Sequence, residues 1–235
     1  MDACKPLDLL RALMDAGYVR TPGGRMRHVN DPDRSEAPLL ALATCPQGSI
    51  VLYRHDVAVT ADVTLDADDI SRRAEHVRKH LGLTTPVGPH NFEHHHILPR
   101  DTHWNGPAVI AQGTSEGDAL WERLAHDGLP SGIVAQGFAD LSHFWPPWCV
   151  VMEGSEIASV AFAARIDAHA ACIGVATVPA CRGRGYAAAV TAAWSALPAL
   201  RDRALFYSTH FDNAASQRVI AKLDLPFLGV GFTLP

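Results

Sequence analysis

The stretch that most constrains this chain is Val175-Ala-Thr-Val-Pro-Ala-Cys-Arg-Gly-Arg-Gly-Tyr-Ala187. An apolar run, a glycine-spaced turn and an alanine-rich segment succeed one another, which is the order of a strand, a tight turn and a helix. A turn that opens a helix offers backbone N–H groups without intrahelical partners, together with the positive end of the helix dipole. Gly183 and Gly185 carry no Cβ where a ligand has to approach the backbone. Arg182 and Arg184 add donors suited to phosphate oxygens. The expectation is a cradle for a pyrophosphate.

Gly183-x-Gly185-x-x-Ala188 also has the spacing of a dinucleotide-binding turn. That turn belongs to a strand–helix–strand unit with most of a parallel sheet still to come. Only about fifty residues remain after it here, too few for such a sheet. The acidic residue expected about twenty positions on would be Asp202, which sits between Arg201 and Arg203 in a predicted loop. A structural turn ahead of a surface helix is the bland alternative.

Arg182-Gly-Arg-Gly-Tyr-Ala187 resembles the Arg/Gln-x-x-Gly-x-Gly/Ala motif of the GNAT acyltransferase superfamily, in which the turn binds the pyrophosphate of acetyl-coenzyme A. The residues after the turn keep that family's order. A strand is predicted over Ala204–Thr209. Asp212–Leu223 is similar to the family's second signature helix, with Asn213 at its start and Ser216 three residues later. The apolar stretch Phe227 to Leu234 stands where the family places its last strands.

The resemblance implies an α/β fold, with a mixed, mainly antiparallel sheet flanked by helices in residues 105–235. It implies transfer of an acetyl group from acetyl-coenzyme A to a primary amine by direct attack. The backbone of Val175, Ala176 and Thr177 would pair with the pantetheine arm and polarise the thioester carbonyl. The N–H groups of Arg182, Gly183, Arg184, Gly185, Tyr186 and Ala187 would hold the pyrophosphate. Asn213 and Ser216 would face the cofactor; their structural alternative is simple N-capping.

Proton transfer is where the chain departs from the family. Many members carry a tyrosine seven residues after the helix-opening Asn, and this chain has Ile220 there. Some carry a glutamate base five residues before that Asn, and this chain has Ser208. Ser208, His210 and Ser216 remain as catalytic candidates, with Asp212 nearby. His210 has the right intrinsic range for proton transfer. Cys181 is expected to pack rather than react. A non-catalytic coenzyme-A-binding sensor or regulatory module is the alternative that fits these absences.

The net charge of −5 argues against a nucleic-acid partner or an anionic membrane surface, so the basic turn is a local exception. Five cysteines, odd in number and without disulfide or metal spacing, read as reduced thiols of a cytoplasmic protein. The N-terminal residues do not form a secretory signal. The longest weakly charged run, 130–152, contains Asp140, His143 and Pro146-Pro147 and is a poor membrane span. The expected partner is a small-molecule or peptide amine, taken by a monomer or a homodimer.

Seven Pro and Gly residues between 82 and 107 mark the expected boundary between a smaller N-terminal α+β unit, 1–104, and the acyltransferase unit, 105–235. The first unit is expected to help shape the acceptor site; a worn copy of the same fold is the other reading. It should hold a helix over Leu7–Ala16 and a hairpin of Pro38–Cys45 with Ile50–His55. A further strand over Val57–Leu65 and a helix running to about Leu81 should come after these. The second unit should begin with a strand at Val109–Ala111, a helix capped by Ser115 and a further helix near Gly132–Asp140. Strands at Cys149–Met152, Ile157–Ile166 and Ala170–Val178 come next, then an alanine-rich helix from Tyr186 to Leu197, stopped by Pro198. Glu93-His94-His95-His96 has the residue types of a metal site, but neighbours on one segment point different ways and no ligand spacing is present. It reads as a polar linker or a contact between subdomains, without metal.

Overall fold

Apolar runs of Val, Ile, Leu and Ala build one broad sheet. The computed structural model describes residues 5–58, 72, 74–75, 78–79 and 86–235. In chain order the elements are helix α1 (Pro6–Gly17) and strands β1 (Tyr18–Arg20), β2 (Met26–Val29), β3 (Leu40–Cys45), β4 (Gly48–Tyr53), β5 (Phe92–Ile97) and β6 (Ile110–Ala111). Helix α2 (Ser115–Asp127) and the short α3 (Ser131–Val134) lead to β7 (Cys149–Glu153), β8 (Glu156–Ile166) and β9 (Ala170–Thr177). Helix α4 (Tyr186–Ser195), β10 (Ala204–His210), α5 (Ala214–Leu223) and β11 (Phe227–Leu234) complete the chain. Among the described residues, nine strands form the main sheet in the order β4-β3-β11-β5-β10-β9-β8-β7-β6, and β1 pairs with β2 separately. This is the mixed, mainly antiparallel α/β architecture expected from the sequence.

Every neighbouring pair in the main sheet is antiparallel except β9 and β10. Those two run parallel and pair only over Ala204–Phe206 against Ala170–Cys172. Both strands then continue, to Thr177 and His210, without pairing to each other. The result is an open wedge in the middle of the sheet, with unpaired backbone groups along its walls.

One face of the sheet is covered by α4 and α5, whose Trp194 and Val219 join Ala171, Leu205 and Tyr207 in the largest core cluster. Helix α4 is apolar almost all round, and its alanines let it lie close on β7, β8 and β9. Its fully buried Trp194 donates Nε1–H to the Pro147 carbonyl at 2.8 Å, so the indole brings no unsatisfied group into the core. The opposite face carries α1, with Leu10, Leu13 and Met14 against Ala170, Cys172 and Phe206. Alternate residues of β9 and β10 thus feed two different cores.

The segment 82–107 differs from its reading as a boundary, because β5 lies within it, between β10 and β11. Nor does residue 104 divide the sheet: β3, β4 and β5 extend the same sheet as β6 to β11, and α1 covers it. The strand escapes recognition because Phe92-Glu-His-His-His-Ile shows no apolar–polar alternation. Glu93 and His95 face a cavity, while His94 and His96 meet the rings of Phe211 and Phe227 on the other side.

Smaller differences have local causes. Thr114, rather than Ser115, caps α2, its Oγ1 accepting from the Gly117 N–H at 3.0 Å. The helix expected near Gly132–Asp140 is only the single turn α3, and Gly137 comes after it with φ of 95°. The final apolar stretch is one strand, β11. The hairpin of β3 and β4 is as expected. The strand expected over Val57–Leu65 and the helix running to Leu81 lie almost wholly outside the described residues.

Candidate functional site

Beyond Thr177 the chain turns through Pro179–Cys181 and reaches Gly183 and Gly185, whose φ values are +82° and +83°. Both positions sit in the left-handed region that glycine adopts without steric cost. Gly185 is the N-cap of α4 and has no side chain to cap with. The N–H groups of Tyr186, Ala187 and Ala188 therefore have no partner inside the helix and point out of its positive end. A Cβ placed on Gly183 would meet nothing within 4 Å, whereas one on Gly185 would stand 3.0 Å from the Trp104 ring.

This turn lines a cavity of about 390 Å³ on the α4 and α5 face of the sheet. Val175, Ala176 and Thr177 form one wall, the turn a second, and Asn213, Ser216 and Val219 of α5 a third. Arg182, Arg218 and Lys222 line it, and no carboxylate does. In a chain of net charge −5, three cations around an open helix end make a local site for a multiply charged anion. Arg182 is held at the rim, with Nε donating to the Thr177 carbonyl at 3.3 Å. Lys222 lies 5.8 Å from the centre of the Trp104 ring.

Ten of the eleven residues expected to hold the cofactor meet at this cavity: Val175, Ala176, Thr177, Arg182, Gly183, Gly185, Tyr186, Ala187, Asn213 and Ser216, the last expected in both roles. The exception is Arg184, whose guanidinium is ion-paired with Glu153 and does not line the cavity. Asn213 is also the N-cap of α5, its Oδ1 accepting from the Ser216 N–H at 3.1 Å, so its capping and cavity positions coincide. Cys181 is buried, and burial raises its thiol above the ordinary range.

The three catalytic candidates do not share one place. Ser216 lines the first cavity. Ser208 lines a second cavity of about 500 Å³, on the α1 face. His210 is exposed at the end of β10, with Nδ1 3.8 Å from Glu93 Oε1. The second cavity is walled by Leu13 and Met14 of α1, by Tyr18, by Cys172 and Ile173 of β9 and by Glu93 and His95 of β5. The unpaired ends of β9 and β10 stand between the two cavities: Val175 and Tyr207 face the first, Cys172 and Ser208 the second.

Two residues that sequence reasoning missed have chemistry here. Tyr207 is the first β10 residue beyond the segment paired with β9; it is buried at the first cavity, beside Ser216. Burial raises its phenol above the ordinary value, so it keeps its proton at neutral pH. His95 faces Ser208 across the β5–β10 pair, with Nδ1 2.9 Å from Ser208 Oγ. Cys172 Sγ lies 3.7 Å from the same oxygen. Burial holds the His95 imidazole below its ordinary value, with Glu93 acting in the opposite direction. A Cβ on Gly231 would come within 2.2 Å of His95 Nε2, so it is a glycine on β11 that lets the ring lie there.

The rest of the histidine run points elsewhere. His94 stacks on Phe211 at 4.2 Å between ring centres, and His96 Nδ1 is 3.0 Å from the Leu225 carbonyl. Among the described residues, no three His, Cys, Asp or Glu side chains are gathered as a metal ion would require. Among the same residues, no helix is long and apolar enough to cross a membrane.

No protein-family model matches the chain, and no curated protein matches it. Among solved structures it is similar to a putative acetyltransferase of the GNAT family from Novosphingobium aromaticivorans, at 19% identity over 65% of this chain and 73% of that one, with a TM-score of 0.40. A GNAT-family acetyltransferase from Colwellia psychrerythraea is similar at 18% identity, over 69% of this chain and 63% of that one, with a TM-score of 0.41. A Drosophila protein is similar over 98% of this chain and 88% of its own, at 13% identity and a TM-score of 0.45. At such scores the function has to be read from the two cavities.

Proposed function

We propose that the protein transfers an acetyl group from acetyl-coenzyme A to a primary amine. The observation that carries this reading is the first cavity: an open helix end, two glycines with positive φ and three cations without a carboxylate, set against the free edge of β9. A pyrophosphate and a further phosphate suit the charges. An extended arm suits the strand edge, because alternate N–H and C=O groups beyond Cys172 are available to pair with it.

The residues divide the work. The turn N–H groups and Arg182 hold the pyrophosphate, and Arg218 and Lys222 supply the remaining positive charge. A backbone N–H of Val175–Thr177 polarises the thioester carbonyl, a fixed dipole aimed at developing negative charge. Tyr207, protonated and buried beside Ser216, gives its proton to the departing sulfur. It takes over the task for which Ile220 is unsuited. A second cavity across the wedge favours an enzyme over a binding module, since a sensor of the cofactor has no need of it.

Titration calorimetry with acetyl-coenzyme A tests the reading. Arg218 and Lys222 are exposed, so the double variant Arg218→Glu, Lys222→Glu should fold normally. Each lost charge-assisted contact is worth about 1.5–3 kcal/mol, so affinity should fall at least tenfold. Wild-type affinity in that variant would refute the assignment of this cavity.

A further inference from the structure

We infer that the second cavity is the acceptor site, that it takes a primary amine carried on a small apolar body, and that the Ser208–His95 pair removes the amine's proton. The inference rests on acyl transfer from the first cavity. It concerns a different face of the sheet and residues from a different part of the chain.

Geometry places the pair where a proton has to go. Adjacent residues of a strand point to opposite faces, so Tyr207 and Ser208 look into opposite cavities from one point on the wedge. An amine entering from the α1 side meets Ser208 Oγ, and behind it His95 Nδ1 at 2.9 Å. With Nδ1 accepting from Ser208, the ring proton resides on Nε2. As the N–C bond forms at the thioester carbonyl, the nitrogen's proton passes to Ser208 Oγ while the Ser208 proton passes to Nδ1. The C–S bond breaks with its electron pair on sulfur, which takes the Tyr207 proton. His95 and Tyr207 then exchange with water. Ser208 is the residue that touches substrate; His95 acts through it.

The walls define the acceptor. Leu13, Met14 and the Tyr18 ring suit an apolar body, and about 500 Å³ suits a molecule of small size. The cations on this cavity are already engaged: Arg54 by Glu36 and Asp56, Arg165 by Asp31 at 3.8 Å. Glu93 has only His210 as an ion-pair partner among the described residues, so it is the carboxylate free to draw in an ammonium group, which sheds its first proton to solvent on entry. The titratable groups around His95 are Glu93, His94 and His96 on its own strand and Cys172 opposite, with the Ser208 hydroxyl as its hydrogen-bond partner. Burial keeps the imidazole neutral and able to accept.

The test uses the full chain, benzylamine as the amine and Gly-Gly-Gly as a peptide control. Thiol release is measured in wild type, Ser208→Ala and His95→Gln, with acetyl-coenzyme A affinity determined by calorimetry in each. The expected result is benzylamine turnover that falls about a hundredfold in both variants at unchanged cofactor affinity. In 15N spectra of the wild type saturated with coenzyme A, benzylamine should also shift the His95 ring nitrogens, and the shift should vanish in Ser208→Ala. If His95→Gln fails to fold, Ser208→Ala and the spectra decide. Cofactor binding with full turnover in Ser208→Ala would overturn the proton route. Saturable use of Gly-Gly-Gly but not benzylamine would overturn the acceptor class. No cofactor binding by wild type would overturn both readings, and calorimetry reports that outcome separately.

Discussion

Tyr207→Phe isolates one hydroxyl. The ring is 3% exposed and packs in the main core, so phenylalanine keeps the apolar burial and leaves no cavity beyond a single oxygen. What is lost is the hydroxyl beside Ser216. A polar contact of this kind contributes at most about 1 kcal/mol net, and Ser216 is only partly buried, so water can serve it. The stability change should therefore stay within about 1 kcal/mol, and cofactor affinity should hold.

The expected change is in turnover. A positioned general acid contributes roughly a hundred- to ten-thousandfold, and the low end applies where the leaving thiolate is itself stable. A hundredfold loss corresponds to about 2.7 kcal/mol of barrier, well above the folding cost. The assay is thiol release under saturating acetyl-coenzyme A, with calorimetry and denaturant unfolding as controls. Because burial raises the phenol, the wild-type rate should show no loss attributable to this group as pH rises to about 10. A kcat in Tyr207→Phe within about threefold of wild type would refute the assignment of Tyr207 as proton donor to sulfur.

Gly231→Ala places a methyl group 2.2 Å from His95 Nε2; overpacking of this kind costs about 1–3 kcal/mol, so melting temperature and amine turnover should both fall while acetyl-coenzyme A affinity is kept. Alkaline pH should also destabilise the fold. Burial raises Cys149, Cys172, Tyr18 and Tyr207, so the unfolded chain loses these protons first and stability declines from about pH 8.5 upward, by about 1.4 kcal/mol per pH unit for each proton involved. On the acid side, burial lowers His94 and His95, so stability present above about pH 6.5 is lost as pH falls. Denaturant unfolding at pH 5, 7.5 and 10 checks both limbs; a flat profile would count against buried neutral side chains.

The first cavity was legible in the sequence because one contiguous turn and the start of one helix make most of it. Strand, glycines and Asn213 come in order, so chain position alone brings them to one place. Arg218 and Lys222 were also within reach: four apart on a predicted helix, they share a face. Tyr207 could have been placed by strand alternation once Ser208 had been considered. His95 could not. It comes from a strand more than a hundred residues before its partner Ser208, and that strand hides its periodicity because both its faces are polar at one point or another. Pro and Gly around it describe the ends of a central strand, not a linker. Arg184 failed for a different reason: its charge is taken up by Glu153, which no local spacing reveals.

The place of β5 makes a strong claim about which parts of the chain can stand alone. If residues 1–104 were an accessory unit, a fragment from residue 105 onward would fold and keep the cofactor cavity. The sheet argues otherwise. β5 pairs with β10 from Glu93 to Ile97 and with β11 from Phe92 to His96, so the fragment would lose the strand that joins its last two. β11 would also lose β3, its other neighbour. The fragment would expose three new edges, one on β10 and both on β11, and the Cys172 and Phe206 face that α1 covers. Leu10, Met26, Leu40 and Leu98, each 2% exposed or less, go with the deleted part. At about 1.5–3 kcal/mol per buried side chain, these and Phe92 amount to much of the roughly 5–15 kcal/mol that holds a domain together. The fragment 105–235 should therefore show no cooperative unfolding and no acetyl-coenzyme A binding, although every residue of the turn is present. Circular dichroism melts and calorimetry on the purified fragment decide. A sharp transition with wild-type affinity would show that the wedge between β9 and β10 holds its shape without β5, and would remove the ground for drawing both cavities from one sheet.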